Sequence, residues 1–417
     1  MAPKVVAVRT SRLPWLLGAI GAVLVIAAVV ALSARGGGSS SKTPPPAAVL
    51  GSWTKLPALG SIRGTAAVVR LGNGQVLAAG GGVGTIPLAA AEMYDPQTKI
   101  WKPTGAMNQA RRGATAVELA DGRVLIAGGV AGPTLLDSAE IFDPTTGHWA
   151  ATGAMAIARV GATMTALPNG DVLVSGGTTT GGQQGTGGGQ TISPTATAEV
   201  FHVATGTWST THPMTVPRFE ASATALTDGR VLVVGGLGGQ GTPSPTGLLY
   251  QPLRNAEIFD PAVGAFTGAG SMAEGRALQV ATRLPDGRVL VAGGIGGPGG
   301  TATLSTAERF DPTTGTWSSV APMAQGRTGA SATTLNSGMV LVTGGETVDQ
   351  GARNSLASAQ VFDPVKNVWN PGGNMSCPRS GQGAVLLADG SVLVVAGDTA
   401  FAGQPPVAQG CVDLYRP

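Results

Sequence analysis

One unit of sequence, written seven times over, dictates how this chain can bury its apolar residues. An arginine recurs at Arg63, Arg111, Arg159, Arg218, Arg276, Arg327 and Arg379, with spacings of 48, 48, 59, 58, 51 and 52 residues. A period of roughly this length marks propellers and solenoids, in which a unit too small to bury its own core packs against its neighbours. Ten residues after each arginine stands a turn pair: Asn73-Gly74, Asp121-Gly122, Asn169-Gly170, Asp228-Gly229, Asp286-Gly287, Ser337-Gly338 and Asp389-Gly390. Asn-Gly and Asp-Gly predict two-residue hairpins with both central residues at positive φ. An apolar run such as VLIAGG or VLVVGG follows each turn and closes on a Gly-Gly pair, or on Ala396-Gly397 in the last unit. These runs predict strands buried on both faces.

A third segment reads AEMYDP, AEIFDP, AEVFHV, AEIFDP, AERFDP, AQVFDP and VDLYRP, with its polar position at Glu92, Glu140, Glu199, Glu257, Glu308, Gln360 and Asp413. Nine residues on, an aromatic follows in six units, at Trp101, Trp149, Trp208, Phe266, Trp317 and Trp369. Each unit therefore predicts four strands. The chain stops at Pro417, before the seventh unit reaches its aromatic strand. Every repeat aromatic lies ten residues before an arginine, and Trp53 stands ten before Arg63. The N-terminal strand is thus expected to complete the sheet whose other strands are C-terminal, closing a ring and removing its exposed edges. The 66 glycines and 29 prolines, spread over 417 residues, exclude a mostly helical alternative.

These marks, with units such as TDGRVLVVGG and NAEIFDP, resemble kelch-repeat β-propellers, especially exported bacterial proteins related to the propeller domain of galactose oxidase. The resemblance covers residues about 52 to 417. It implies an all-β, seven-bladed kelch-type β-propeller, here preceded by one N-terminal transmembrane helix. A fold of this kind hosts enzymes, receptors and scaffolds alike, so function has to be read from particular residues.

Leu13 to Leu32 is free of charge and long enough to cross a bilayer, and Lys4, Arg9 and Arg12 precede it. Residues 1–12 then read as cytoplasmic, 13–34 as a transmembrane signal anchor, 35–51 as a Gly/Ser/Pro linker and 52–417 as the propeller, outside the cytoplasm. A cleaved signal peptide is the alternative; either exports the protein. The formal charge of +3 is concentrated in this region: residues 1–42 hold five bases and no acid, leaving 21 Lys and Arg against 23 Asp and Glu. Without a basic face the body has no footprint for nucleic acid. Cys377 and Cys411 form a disulfide candidate in an oxidising compartment, or two separately buried thiols.

What recurs in every unit is expected to serve the fold. The recurrent Arg and Glu therefore read as structural pairs, and Met107, Met155, Met214, Met272, Met323 and Met375 as core filler. Length varies only between the Gly-Gly pair and the acidic position, which puts seven variable loops on one face, where binding residues gather. Residues 178–198 carry neither charge nor aromatic and read as a flexible spacer. Residues 237–256 hold Leu248, Leu249, Tyr250 and Arg254, either a contact surface or a fold-back onto the adjacent sheet. Further binding candidates are Glu346, Asp349, Arg353, Asp398 and Phe401. No spacing matches a cation loop.

The copper chemistry of galactose oxidase needs two tyrosines, two histidines and a cysteine about the metal. Here Tyr94 and Tyr415 occupy core repeat positions, and His148, His202 and His212 are scattered. The expectation is no copper site, no cofactor, no metal site, no Ser-His-Asp or Cys-His arrangement, and no catalytic residue. The sequence thus reads as a membrane-anchored, extracytoplasmic binding or scaffold module for a protein or glycan. A carbohydrate-active enzyme using loop-face carboxylates and a structural envelope protein are the alternatives.

Overall fold

The computed structural model describes residues 48–417 apart from 185–189, 245–246, 298–299, 350–351 and 402–403. The expected cytoplasmic segment 1–12, anchor 13–34 and linker as far as residue 47 lie outside the described residues. Among those described, no helix is long and apolar enough to cross a membrane.

The repeat folds as alternation and turn chemistry require. In the first unit four antiparallel strands, Ala67–Arg70, Val76–Ala79, Ala91–Asp95 and Ile100–Thr104, pair in chain order. The described residues hold seven such four-stranded sheets. In the seventh, the outermost strand is Ser52–Leu56, paired with Val412–Arg416 so that Trp53 faces Tyr415. The innermost strands, beginning at Ala67, Thr115, Thr163, Ser222, Val280, Ser331 and Gly383, touch one another in sequence, and the last touches the first. The sheets thus close into a ring.

The hairpins differ from the two-residue turns expected. Leu71 N–H donates to Gln75 O at 2.8 Å and Gly74 N–H to Leu71 O at 2.8 Å, so three residues form the loop. Gly74 sits at φ +90° while Asn73 does not adopt positive φ, which is a type I turn followed by a glycine bulge. Asn73 accepts the Gln75 N–H through its side chain at 2.9 Å, a local bond that the mirror-image turn would not need.

The core lies between sheets, in seven clusters. One joins Val76, Tyr94 and Trp101 of the first sheet to Leu393, Val395 and Val412 of the seventh. The second strand of each sheet, such as Val231–Val234, is buried along its length because another sheet covers each face. In every sheet the third-strand aromatic packs on the fourth-strand aromatic, with ring centroids 4.9–5.2 Å apart. Trp149 Nε1 also donates to Gly105 O of the preceding sheet at 2.8 Å, and Trp53 Nε1 to Gly372 O at 2.6 Å. The repeat methionines are buried, and Met107 Cε lies over Gly80. A side chain on Gly80, at φ +63°, would strike the carbonyl of Arg111, the next unit's arginine. Gly81 N–H donates to that carbonyl at 3.0 Å. The Gly-Gly signature is thus a requirement of close approach between sheets.

A disulfide joins Cys377 to Cys411 across the last unit, 34 residues apart.

Candidate functional site

The repeated charges build the frame around the site. Arg63 is fully buried; its guanidinium donates to Gly80 O at 3.1 Å, Ala90 O at 2.7 Å and Glu92 Oε1 at 2.8 Å. Glu92 in turn accepts the Gly60 and Ser61 amides at 2.7 and 3.0 Å. The same ion pair joins Arg111 to Glu140, Arg159 to Glu199, Arg218 to Glu257, Arg276 to Glu308 and Arg379 to Asp413. Burial lowers each of these arginine pKa values, and the facing carboxylate partly restores it. In the sixth unit Gln360 replaces the acid. Arg327 there keeps its carbonyl acceptors, Gly344 O at 2.7 Å and Ser358 O at 2.8 Å, and burial alone takes its pKa down to about 10. These arginines pin the entry to each innermost strand, so the residues just after them are held at the ring's axis.

Those following residues form the mouth of the channel. The residue one past each arginine pairs with the residue one past each Gly-Gly: Gly64 with Gly82, Arg112 with Val130, Val160 with Thr178, Phe219 with Leu237, Ala277 with Ile295, Thr328 with Glu346, and Ser380 with Asp398. The residue two past each arginine has positive φ in all seven units: Thr65, Gly113, Gly161, Glu220, Leu278, Gly329 and Gly381. Five of these are tied across neighbouring sheets by four amide bonds: Glu220 N–H to Gly161 O at 3.0 Å, Leu278 N–H to Glu220 O at 3.1 Å, Gly329 N–H to Leu278 O at 3.0 Å and Gly381 N–H to Gly329 O at 2.9 Å.

The seven positive-φ residues line a cavity of about 830 Å³ with two unlike sides. The side built from units six, seven, one and two carries the paired charges, with Val83, Ile86, Val348, Pro405 and Pro406 also lining it. Arg353 Nε donates to Glu346 Oε1 at 2.8 Å, Ser380 Oγ to Glu346 Oε2 at 3.4 Å, Arg112 lies 3.9 Å from Asp398, and Arg112 Nε donates to Thr65 Oγ1 at 3.1 Å. Burial pushes the Asp398 carboxyl above its usual value, with Arg112 and Arg353 opposing. The other side, from units three to five, presents Val160, Phe219, Leu237, Leu278 and Ile295, with Glu220 among them. Burial pushes the Glu220 carboxyl up to about 7.

Of the residues singled out from sequence, Glu346, Arg353 and Asp398 meet at this mouth. Tyr250 folds back onto Phe219, edge-on at 5.8 Å between centroids. Arg254 turns away from the cavity, its Nε donating to Met272 O at 3.1 Å. Phe401 is exposed at the seventh loop. Leu249 pairs through its backbone with Thr242, and Asp349 with Ala352; their side chains lie outside those described. The spacer 178–198 is instead a hairpin, Thr178–Gln184 against Gln190–Pro194, because it continues the pairing begun at Val160. Sequence reasoning missed Arg112 and Glu220. Their signal was the first position after the recurrent arginine for Arg112 and the second for Glu220, where a charged residue breaks an otherwise uncharged register.

A Ser-His-Asp alignment, not expected from the sequence, does occur on the outer rim of the third sheet. Asp171 Oδ2 lies 2.9 Å from His202 Nδ1, and Ser209 Oγ 2.7 Å from His202 Nε2. Asp171 immediately precedes the strand Val172–Ser175, and His202 and Ser209 lie on the next two strands of the same sheet, an alignment that the scatter of histidines along the chain concealed. Other units place a base and an acid at the first two positions in the opposite order, as with Arg123 and Asp143, so the Asp171–His202 bond reverses which strand supplies the acidic residue. Among the described residues, no group of three or more His, Cys, Asp and Glu is placed to hold a metal ion.

Three comparisons place this geometry among known proteins. The Kelch motif model matches residues 63–108, 111–155 and 279–324. A kelch repeat-containing protein of Caenorhabditis elegans is 27% identical over 195 residues, 45% of this chain and 31% of its own length. A kelch repeat and BTB domain-containing protein of the same organism is 31% identical over 133 residues, 31% of this chain and 22% of its own. The match spans a third or less of either relative. A fungal alcohol oxidase of the AA5 family, solved in complex with copper, superimposes with a TM-score of 0.67 at 18% identity, covering 88% of this chain and 76% of that one. At that identity the likeness is one of fold.

Proposed function

Since this chain belongs to the kelch-repeat family and has a galactose oxidase-like propeller, we propose that it is a seven-bladed, ring-closed scaffold that captures a partner at its channel mouth and catalyses no reaction there. The observation that carries this reading is the convergence of Arg112, Glu346, Arg353 and Asp398 around one cavity, from different units. Charges paired with each other give orientation and specificity to an interface more than raw affinity. A protein partner is favoured over a glycan. Val83 and Ile86 of the first unit and Val407 of the seventh are exposed on touching hairpins beside the mouth, and exposed apolar patches of this kind mark protein contacts.

In this proposal residues 13–34 anchor the protein, 1–12 remain cytoplasmic, 35–51 form a spacer, and the propeller of residues 52–417 stands outside. Support comes from the uncharged run and the preceding bases. The test is cross-linking on intact cells with the full chain, compared with an Arg353→Ala/Asp398→Asn variant. One cross-linked species lost in the variant supports the mouth; an unchanged pattern refutes it. Protease added outside the cells should remove the propeller from a membrane-retained stub, and protection would refute the orientation.

A further inference from the structure

The seven copies of the repeat form an internal control for the ring of positive-φ residues. Four copies use glycine, which adopts that conformation without strain. Glu220 sits there at φ +52°. A non-glycine residue held in the left-handed region persists against strain, and such residues concentrate at functional sites. Its backbone bonds, to Gly161 O and from Leu278 N–H, are also made by glycines elsewhere in the ring, so the ring does not require a side chain at this position.

The side chain has its own distinction. The other charged groups of the mouth are engaged with one another: Arg353 with Glu346, and Arg112 with Asp398. Among the described residues the Glu220 carboxylate has no hydrogen-bond or ion-pair partner. Its Oε1 lies over Gly161, where a methyl group would come within 3.0 Å, and the apolar residues Val160, Phe219, Leu237, Leu278 and Ile295 line the same cavity. A partly buried carboxylate without a partner is costly unless something supplies a cation.

We infer that Glu220 is the seat for a cationic side chain, a lysine ammonium or arginine guanidinium, that a protein partner inserts into the channel mouth. The surround decides between possible cations. A lysine or arginine places an aliphatic stem behind its charge, and the stem matches the Val160, Phe219 and Leu278 wall. An amino sugar would bring hydroxyl groups against that wall and leave them unpaired. The inference rests on the mouth being the binding surface and adds the chemistry of what it accepts.

Saturation-transfer NMR on the full chain in detergent micelles tests this, with n-butylammonium and n-butylguanidinium as probes and n-pentanol and glucosamine as controls. Transfer to the two cations, weaker for both controls, is expected in the native protein. Glu220→Gln keeps the shape and removes the charge, and should weaken both cations at least tenfold. Glu220→Gly, which suits the backbone better, should abolish binding with the fold intact. Equal signals from native protein and Glu220→Gln, no cation signal at all, or a preference for glucosamine would each overturn the assignment. If Glu220→Gln loses the cations yet still cross-links to its partner on cells, the seat exists but is not what captures the partner, which overturns its stated role while the mouth survives as the binding surface. Loss of cross-linking only in the Arg353→Ala/Asp398→Asn variant overturns that role in the same way.

Discussion

Gln360→Glu should stabilise the protein, because the sixth unit lacks what six others have. Arg327 is 2% exposed, and among the described residues no carboxylate faces it. Burial lowers its pKa to about 10, which corresponds to a cost of about 3 kcal/mol for keeping the buried charge. Because this folded-state value lies below the unfolded one, the cost is fully present at pH values below about 10. It disappears only as both states lose the proton at still higher pH. A glutamate at 360 would face Arg327 as Glu308 faces Arg276, at 2.9 Å. It could also accept the Ala324 amide, which Gln360 now takes at 2.9 Å. The new carboxylate must itself be desolvated, so the net gain is about 1–2 kcal/mol. For a body of this size that is a rise of about 1–3 °C in melting temperature. Urea unfolding followed by tryptophan fluorescence would measure it. Glu308→Ala provides the converse, a loss of about 3–5 kcal/mol from stranding Arg276. If Gln360→Glu destabilises, or Glu308→Ala is neutral, the carbonyl acceptors alone satisfy these arginines and the ion-pair reasoning fails.

Other outcomes follow from single contacts. Glu220→Gly should raise stability by about 1 kcal/mol by relieving the left-handed strain, and an unchanged midpoint would remove that argument. The raised Glu220 pKa means its carboxyl destabilises the fold as pH rises from about 4.5 to about 7. Arg112, Glu346, Arg353 and Asp398 share the cavity and are the same in both proteins. The ratio of stability at pH 5 to that at pH 8 should therefore be greater in the native protein than in Glu220→Gln, and identical profiles would refute it. Trp53→Ala removes the Tyr415 stacking and the Gly372 bond that hold the terminal strand. It should cost about 3–5 kcal/mol and speed proteolysis at the N-terminal strand. Cys377→Ser/Cys411→Ser opens a loop with a separation of 34 residues and should cost about 3–4 kcal/mol in urea unfolding.

The frame was legible in sequence because it is repeated. Arg63 and its six counterparts, the Gly-Gly pairs and the aromatics each recur with fixed spacing, so a local rule applied once serves seven times. Trp53 announced ring closure by its phase alone. The turns differ in type from expectation because the same Asn-Gly letters suit two backbone solutions, and hydrogen bonds around Leu71 and Gln75 selected the longer one. Tyr250 was legible only as one of two alternatives, since whether an aromatic faces solvent or Phe219 depends on a hairpin path that spacing does not specify.

The site divides along the same line. Periodicity alone determined which residues are structural, which segments vary, and that the variable segments share one face, because these properties are local to a unit. It could not reveal that Arg112 reaches Asp398, 286 positions away, or that Glu220, in the same cavity, has no partner among the described residues. Nor could it align Asp171, His202 and Ser209. Such juxtapositions arise only when strands distant in sequence pair and the sheets close. Which charges neutralise each other and which remain alone is set by distance through space around the ring, a quantity absent from any single repeat.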